Sequence, residues 1–124
     1  MFEFPKKQKL CNETEINEMF SNGKSFFIHP IRLIWKKEVN SDAVAIKSII
    51  VVPKKQLKLA ADRNIVRRRM KEAYRLNKST IENSLKNKGK QLNIAIVYQN
   101  DKRLSYKVIE EKIKLILGRL REEI

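Results

Sequence analysis

Between Asp62 and Arg75 the chain reads Asp-Arg-Asn-Ile-Val-Arg-Arg-Arg-Met-Lys-Glu-Ala-Tyr-Arg, and no other stretch restricts the fold so tightly. At roughly 100° per residue, Val66, Met70 and Ala73 align, with Asn77 beneath them and Tyr74 at their margin. Arg67, Lys71, Arg75 and Arg68 take another arc, with Asn64 among them, and Arg63 lies near the seam. A helix of this kind must press one side into a core and hold a crowded cationic side outward. An anionic partner offsets such crowding, and phosphate is the first candidate. The bland reading is a solvated helix face, but solvated helices usually interleave their cations with carboxylates at i,i+4 spacing. Here only Asp62, at the start, and Glu72 are acidic. Arginine also outnumbers lysine, and its planar fork suits bidentate phosphate contacts.

The rest of the chain leans the same way. Its 124 residues bound a single domain, 1–124, with a real core. The 28 Lys+Arg against 14 Asp+Glu leave a net charge of +14, with a sequence pI near 10.1. Residues 54–75 hold nine basic and two acidic side chains, a net +7 and half the total. A folded domain tolerates that self-repulsion when a polyanion neutralises it. Nucleic acid comes first and an anionic membrane surface second. The membrane reading is weak, because no apolar run approaches the ~20 residues of a spanning helix. The first residues, with Glu3 and Pro5, lack an export signal's apolar stretch, and the lone Cys11 fits a reducing compartment, so a cytoplasmic protein is expected. His29 stands alone, without a Cys/His cluster of metal-ligand spacing. Three glycines exclude Gly-rich phosphate loops. Asp42, Asp62 and Asp101 fall at turns or caps, and no His pair or two-metal carboxylate set is recognisable. No catalytic or metal-ligating residue is assigned.

Along the chain, Phe2 to Leu10 reads as a basic arm, residues 1–9 being its flexible part. Asn12 or Thr14 caps a short helix to about Ser21, with Ile16, Met19 and Phe20 on its apolar side and Gly23 as its stop. From Ser25 to Val39 the pattern is β-like: Ile31, Leu33 and Trp35 alternate with Arg32, Ile34 and Lys36. Asn40-Ser41-Asp42 is turn chemistry. Ala43 to Val52 is a more continuously apolar strand ended by Pro53. The basic helix spans about Ala60 to Leu76. Lys78 to Gln91 is polar, with room for a helical turn around Ile81 to Leu85 before Gly89. Leu92 to Tyr98 is a short buried strand. Ser105 caps a last helix to about Arg121, with Val108, Ile109, Ile113, Ile116, Leu117 and Leu120 facing inward. The order predicts an α+β two-layer sandwich with helices packed on one sheet. The run from strand 43–52 through the basic helix to strand 92–98 fits a crossover between parallel strands.

Three segments in this order resemble the protein subunit of bacterial ribonuclease P: Lys9-Leu10 with Phe20-Ser21-Asn22-Gly23; Val51-Val52-Pro53-Lys54-Lys55; and Ala60 to Arg75 around Arg63-Asn64, Arg67-Arg68 and Ala73-Tyr74-Arg75. The resemblance runs from about Lys6 to Leu120, and the arginine–asparagine helix is its specific part. It implies an αβββαβα order, a single mostly antiparallel sheet, and a left-handed βαβ crossover, as in the second domain of ribosomal protein S5. That handedness opposes the usual rule. It also implies a cytoplasmic ribonucleoprotein, with no membrane partner, that removes the 5′ leader from precursor tRNA. One protein is expected per RNA subunit. The RNA subunit would hold the catalytic magnesium ions, and this chain no dedicated metal site.

Carried over by position, Arg63, Asn64, Arg67, Arg68 and Lys71 match the family's RNA-facing helix, with Arg75 on the same cationic arc, and Lys54 and Lys55 match the basic residues after the third strand. Phe20 matches an aromatic of the cleft that holds the single-stranded leader. Ile16 stands where an aromatic is frequent, so apolar contact replaces stacking there. Ile65 stands where a further arginine is common, pointing away from the cationic arc. Trp35 either lends aromatic area to the cleft or packs in the core; its alternation leaves both open. The competing class is a non-catalytic RNA-binding module of ribosomal or chaperone type, and a third is an independent protein nuclease.

Overall fold

Leu92–Tyr98 (β4) is the strand around which the rest is arranged. All seven of its residues are buried, so it needs cover on both faces and a neighbour on each edge. The computed structural model describes residues 13–37 and 44–124; the arm at 1–9, Cys11, the cap at Asn12 and the turn at 40–42 lie outside them. In chain order the elements are α1 (Glu13–Asn22), β1 (Lys24–Ile28), β2 (Ile31–Lys37), β3 (Ile46–Val51), α2 (Ala60–Asn77), α3 (Ser79–Lys88), β4 and α4 (Tyr106–Glu123). The sheet order is β1-β2-β4-β3. β4 pairs antiparallel with β2, Leu33 opposite Ile96, and parallel with β3, Ile50 opposite Ile96. The parallel pair requires a crossover, and α2 with α3 provides it. The result is α+β with one mixed, mostly antiparallel sheet, as expected.

Strand alternation sorts the side chains onto two faces. Ile31, Leu33, Trp35, Ile46, Ile50, Ile94 and Ile96 share a core with Val66, Met70 and Tyr74 of α2 and with Ile109, Ile113 and Leu120 of α4. The opposite phase, Ala95 and Val97 with Ile34, Ile49 and Val51, meets Met19 and Ile16 of α1. The two-layer expectation therefore gains a partial third layer: α1 covers the face that α2 and α4 leave open.

Three local expectations change. The strand expected from Ser25 to Val39 is a hairpin, β1 and β2, reversing at His29–Pro30, whose peptide bond is cis. Pro30 has no N–H to give to a ladder, so one uninterrupted strand cannot run through it. The polar stretch 78–91 carries a full helix, α3, rather than a single turn, giving the order αβββααβα. Ile81 and Leu85, one turn apart, suffice to anchor it, and Gly89 ends it at φ 63° with its N–H on the Lys86 carbonyl. Val108, expected inward, is exposed, while Ile109, Ile113, Ile116, Leu117 and Leu120 are buried. Ser105 caps α4 as read, its hydroxyl accepting from the Val108 N–H at 3.4 Å.

Candidate nucleic-acid interface

The buried side of α2 is Val66, Met70, Ala73 and Tyr74, which fixes where its cations point. Asn64, Arg67, Arg68 and Lys71 line one open concavity of about 360 Å³. Within it Arg67 Nη1 donates to Asn64 Oδ1 at 3.0 Å, so the asparagine holds one edge of the guanidinium and leaves its other donors outward. Four side chains with positive charge and donors in a shallow hollow match a phosphate surface, where Arg forks give directed contacts and Lys a point charge.

The other residues of the cationic set take different posts. Arg63 donates from Nη1 to the Leu57 and Lys58 carbonyls at 2.8 and 2.9 Å, so it ties the entry loop to α2. Arg75 forks onto Glu72 at 3.2 and 2.7 Å. That hydrogen-bonded pair holds the Glu72 carboxyl below its ordinary pKa and raises the Arg75 guanidinium. Arg75 is thus partly neutralised, one turn beyond Lys71 on α2. Lys54 and Lys55 are exposed in the turn after β3, which closes with the Gln56 N–H on the Pro53 carbonyl at 3.1 Å. Arg69, never assigned to the site, donates to the Leu104 carbonyl at 2.6 Å and pins the loop before α4. Ile65 is half-buried.

Across the sheet, α1 forms a second surface. Met19 is fully buried on Ala95 and Val97, which leaves Ile16 half-buried and Phe20 45% exposed beside the sheet. A salt bridge between Glu18 and Lys36 fastens α1 to β2. Trp35 is not part of this surface. It is 4% exposed in the core beneath α2 and α4, and the sheet separates it from Ile16 and Phe20. Its neighbours in the opposite phase, Arg32 and Ile34, point to the α1 side, as does Lys36. Arg32 lies 5.2 Å over the ring of exposed Phe27 and is steadied by Gln99 at 3.2 Å. These basic and aromatic residues were missed as site candidates. The signal was present in the alternation Arg32-Leu33-Ile34-Trp35-Lys36: once Trp35 is inward, the two cations share the other face.

Among the described residues no helix is long and apolar enough to cross a membrane, and no group of three or more His, Cys, Asp or Glu is placed to hold a metal ion.

Comparison with known proteins follows the same lines. The ribonuclease P family model matches residues 4–121. A ribonuclease P protein component from Porphyromonas gingivalis is 32% identical over 120 residues, covering 96% of this chain and 87% of that protein. One from Chlorobium phaeobacteroides is 28% identical over 126 residues, covering 94% and 86%. Among solved structures, the Staphylococcus aureus RNase P protein superposes with a TM-score of 0.72 at 17% identity, covering 91% of this chain and 94% of that one. The Thermotoga maritima protein gives 0.66 at 23%, covering 90% and 96%.

Proposed function

This chain belongs to the ribonuclease P protein family, the RNA-binding protein component of an endoribonuclease that matures tRNA, and on that premise we propose how its two surfaces divide the work. The concavity of Asn64, Arg67, Arg68 and Lys71 grips the RNA subunit, with Lys54 and Lys55 extending the contact and Arg63 and Arg75 shaping its margins. The α1 face, with Ile16, Phe20, Ile34 and Arg32, receives the unpaired 5′ leader of precursor tRNA. Trp35 supports that face from beneath rather than touching RNA.

The observation that carries this reading is the convergence of three cations and an asparagine on the outer side of a helix whose inner side is fixed in the core. Affinity then comes chiefly from counterion release, because each neutralised phosphate frees condensed cations. Leader binding is sequence-tolerant, combining positive charge with aromatic or apolar platforms for splayed bases. Magnesium belongs with the RNA subunit and its substrate, in the cytoplasm. The donor set here does not suit it: Arg67, Arg68 and Lys71 repel a divalent cation and offer no oxygen ligand. On this reading hydrolysis is the RNA's task, and this chain positions substrate and relieves phosphate repulsion.

Reconstitution tests the proposal. Added to a bacterial ribonuclease P RNA at low magnesium, the protein should restore release of the 5′ leader, while the protein alone leaves precursor tRNA intact. Binding without restored cleavage would favour a plain RNA-binding module, and cleavage by the protein alone would overturn the assignment of chemistry to RNA.

A further inference from the structure

Away from both surfaces, α2, α3 and α4 enclose a hollow of about 200 Å³. One wall is Lys114, Gly118 and Arg121, which follow at i, i+4 and i+7 and so share a face of α4. The other wall brings Asn77 from the end of α2 and Thr80 from the start of α3. Among the described residues neither Lys114 nor Arg121 makes an ion pair or hydrogen bond with the protein. Glu110, one turn before Lys114, is engaged instead by the Tyr106 hydroxyl at 3.0 Å. Asn77 donates one amide hydrogen to the Ala73 carbonyl at 2.7 Å, which orients the group and leaves the second hydrogen to give.

Gly118 makes the hollow more than a gap between helices. Glycine inside a helix is destabilising relative to alanine. Packing does not require it here: a Cβ on Gly118 would meet nothing within 4 Å. What the missing side chain leaves is a bare strip of helix between two cations spaced ~10 Å along the axis, whose long side chains can close on a group lying between them. Two cations, an amide and a hydroxyl, all donors, suit a tetrahedral oxyanion.

We propose that this hollow is a second phosphate site, taking the phosphate group of an RNA strand or of a free nucleotide. Asn77 lies on the core-facing arc of α2, so the site opens away from the ridge of Arg67, Arg68 and Lys71. A phosphate held there makes a contact separate from those of the ridge.

The test is amide NMR on the full chain, titrated with inorganic phosphate, a nucleoside monophosphate and a short single-stranded RNA, and read at Gly118 and Thr80. Saturable shifts at both are expected. Saturation with phosphate or mononucleotide identifies a free-ligand site, and saturation with RNA alone identifies a strand contact. Lys114→Gln with Arg121→Gln should weaken binding by roughly tenfold or more. Gly118→Leu should fill the floor and abolish it, while Gly118→Ala raises the thermal midpoint. Absence of saturable shifts at Gly118 and Thr80 with every probe overturns the site, as do undiminished shifts in the double variant. Shifts confined to residues 64–71 report the ridge, and they overturn the site while leaving the proposed function intact.

Discussion

At Gly23 the chain leaves α1 for β1 with its N–H on the Met19 carbonyl at 2.8 Å, and a Cβ there would stand 2.4 Å from that same oxygen. The approach is backbone to backbone, so no side chain can yield, and the lever arm of any shift is α1 itself. Gly23→Ala should cost about 1–3 kcal/mol of stability, read by chemical denaturation, and should tilt Phe20 relative to the sheet. Tyr74 sets a second single-residue expectation. Burial among core side chains raises its phenol well above the ordinary value, with the Ser48 hydroxyl offsetting part of the effect. The native state then holds its proton where the unfolded chain has released it, so stability is full below about pH 10 and declines above it, by up to ~1.4 kcal/mol per pH unit. Tyr98 and Tyr106 are shifted the same way by burial and add to the decline. Denaturation curves between pH 9 and pH 11 should show a shallower loss for Tyr74→Phe than for the parent. Residue roles of this kind are half legible in the sequence: Gly23 reads as a helix stop, and the Met19 contact is local to that stop. The further approaches of a Cβ to Ile34 Cγ2 at 3.0 Å and the Trp35 carbonyl at 3.1 Å exist only once α1 lies against β2.

On the scale of elements, α2 is the part whose sequence and structure agree most closely. Its inner residues are those the periodicity named, because cation crowding on one arc leaves only one way to turn the helix. Replacing Arg67 and Arg68 by Ala should leave the fold intact and weaken binding to the RNA subunit. The log–log salt slope should become shallower by about two, one for each lost phosphate contact. An unchanged slope in filter binding would remove α2 as the RNA face. The helix α3 and the β1–β2 hairpin were less legible. α3 has only two buried side chains, Ile81 and Leu85, so its apolar periodicity is thin. The hairpin was hidden because alternation continues on both sides of Pro30, and only the proline interrupts it.

For the whole molecule, the sheet is the partition. α2 and α4 lie on one side and α1 on the other, so the cationic ridge and the α1 face proposed for the leader are separated by packed strands. Phe20→Ala should lower affinity for precursor tRNA by the ~1–3 kcal/mol of a lost base stack and leave mature tRNA unaffected; equal losses for both would reject the leader assignment. Combined with Arg67→Ala and Arg68→Ala, its effect on precursor binding should add to theirs within about 0.5 kcal/mol, since no side chain is shared. Charge and local periodicity are properties of neighbours along the chain, so the cationic face of α2, the buried strand β4 and the need for a polyanionic partner were all readable from residue order alone. The hold of the Leu57 and Lys58 carbonyls on Arg63 and of Glu72 on Arg75 is local, but it turns on side-chain and loop geometry that charge periodicity does not carry. Only packing between distant segments set Trp35 toward the core and placed Arg32 and Lys36 on one face with α1. Those outcomes depend on strand phase and register, which are set when distant segments pair and one face of the sheet is buried.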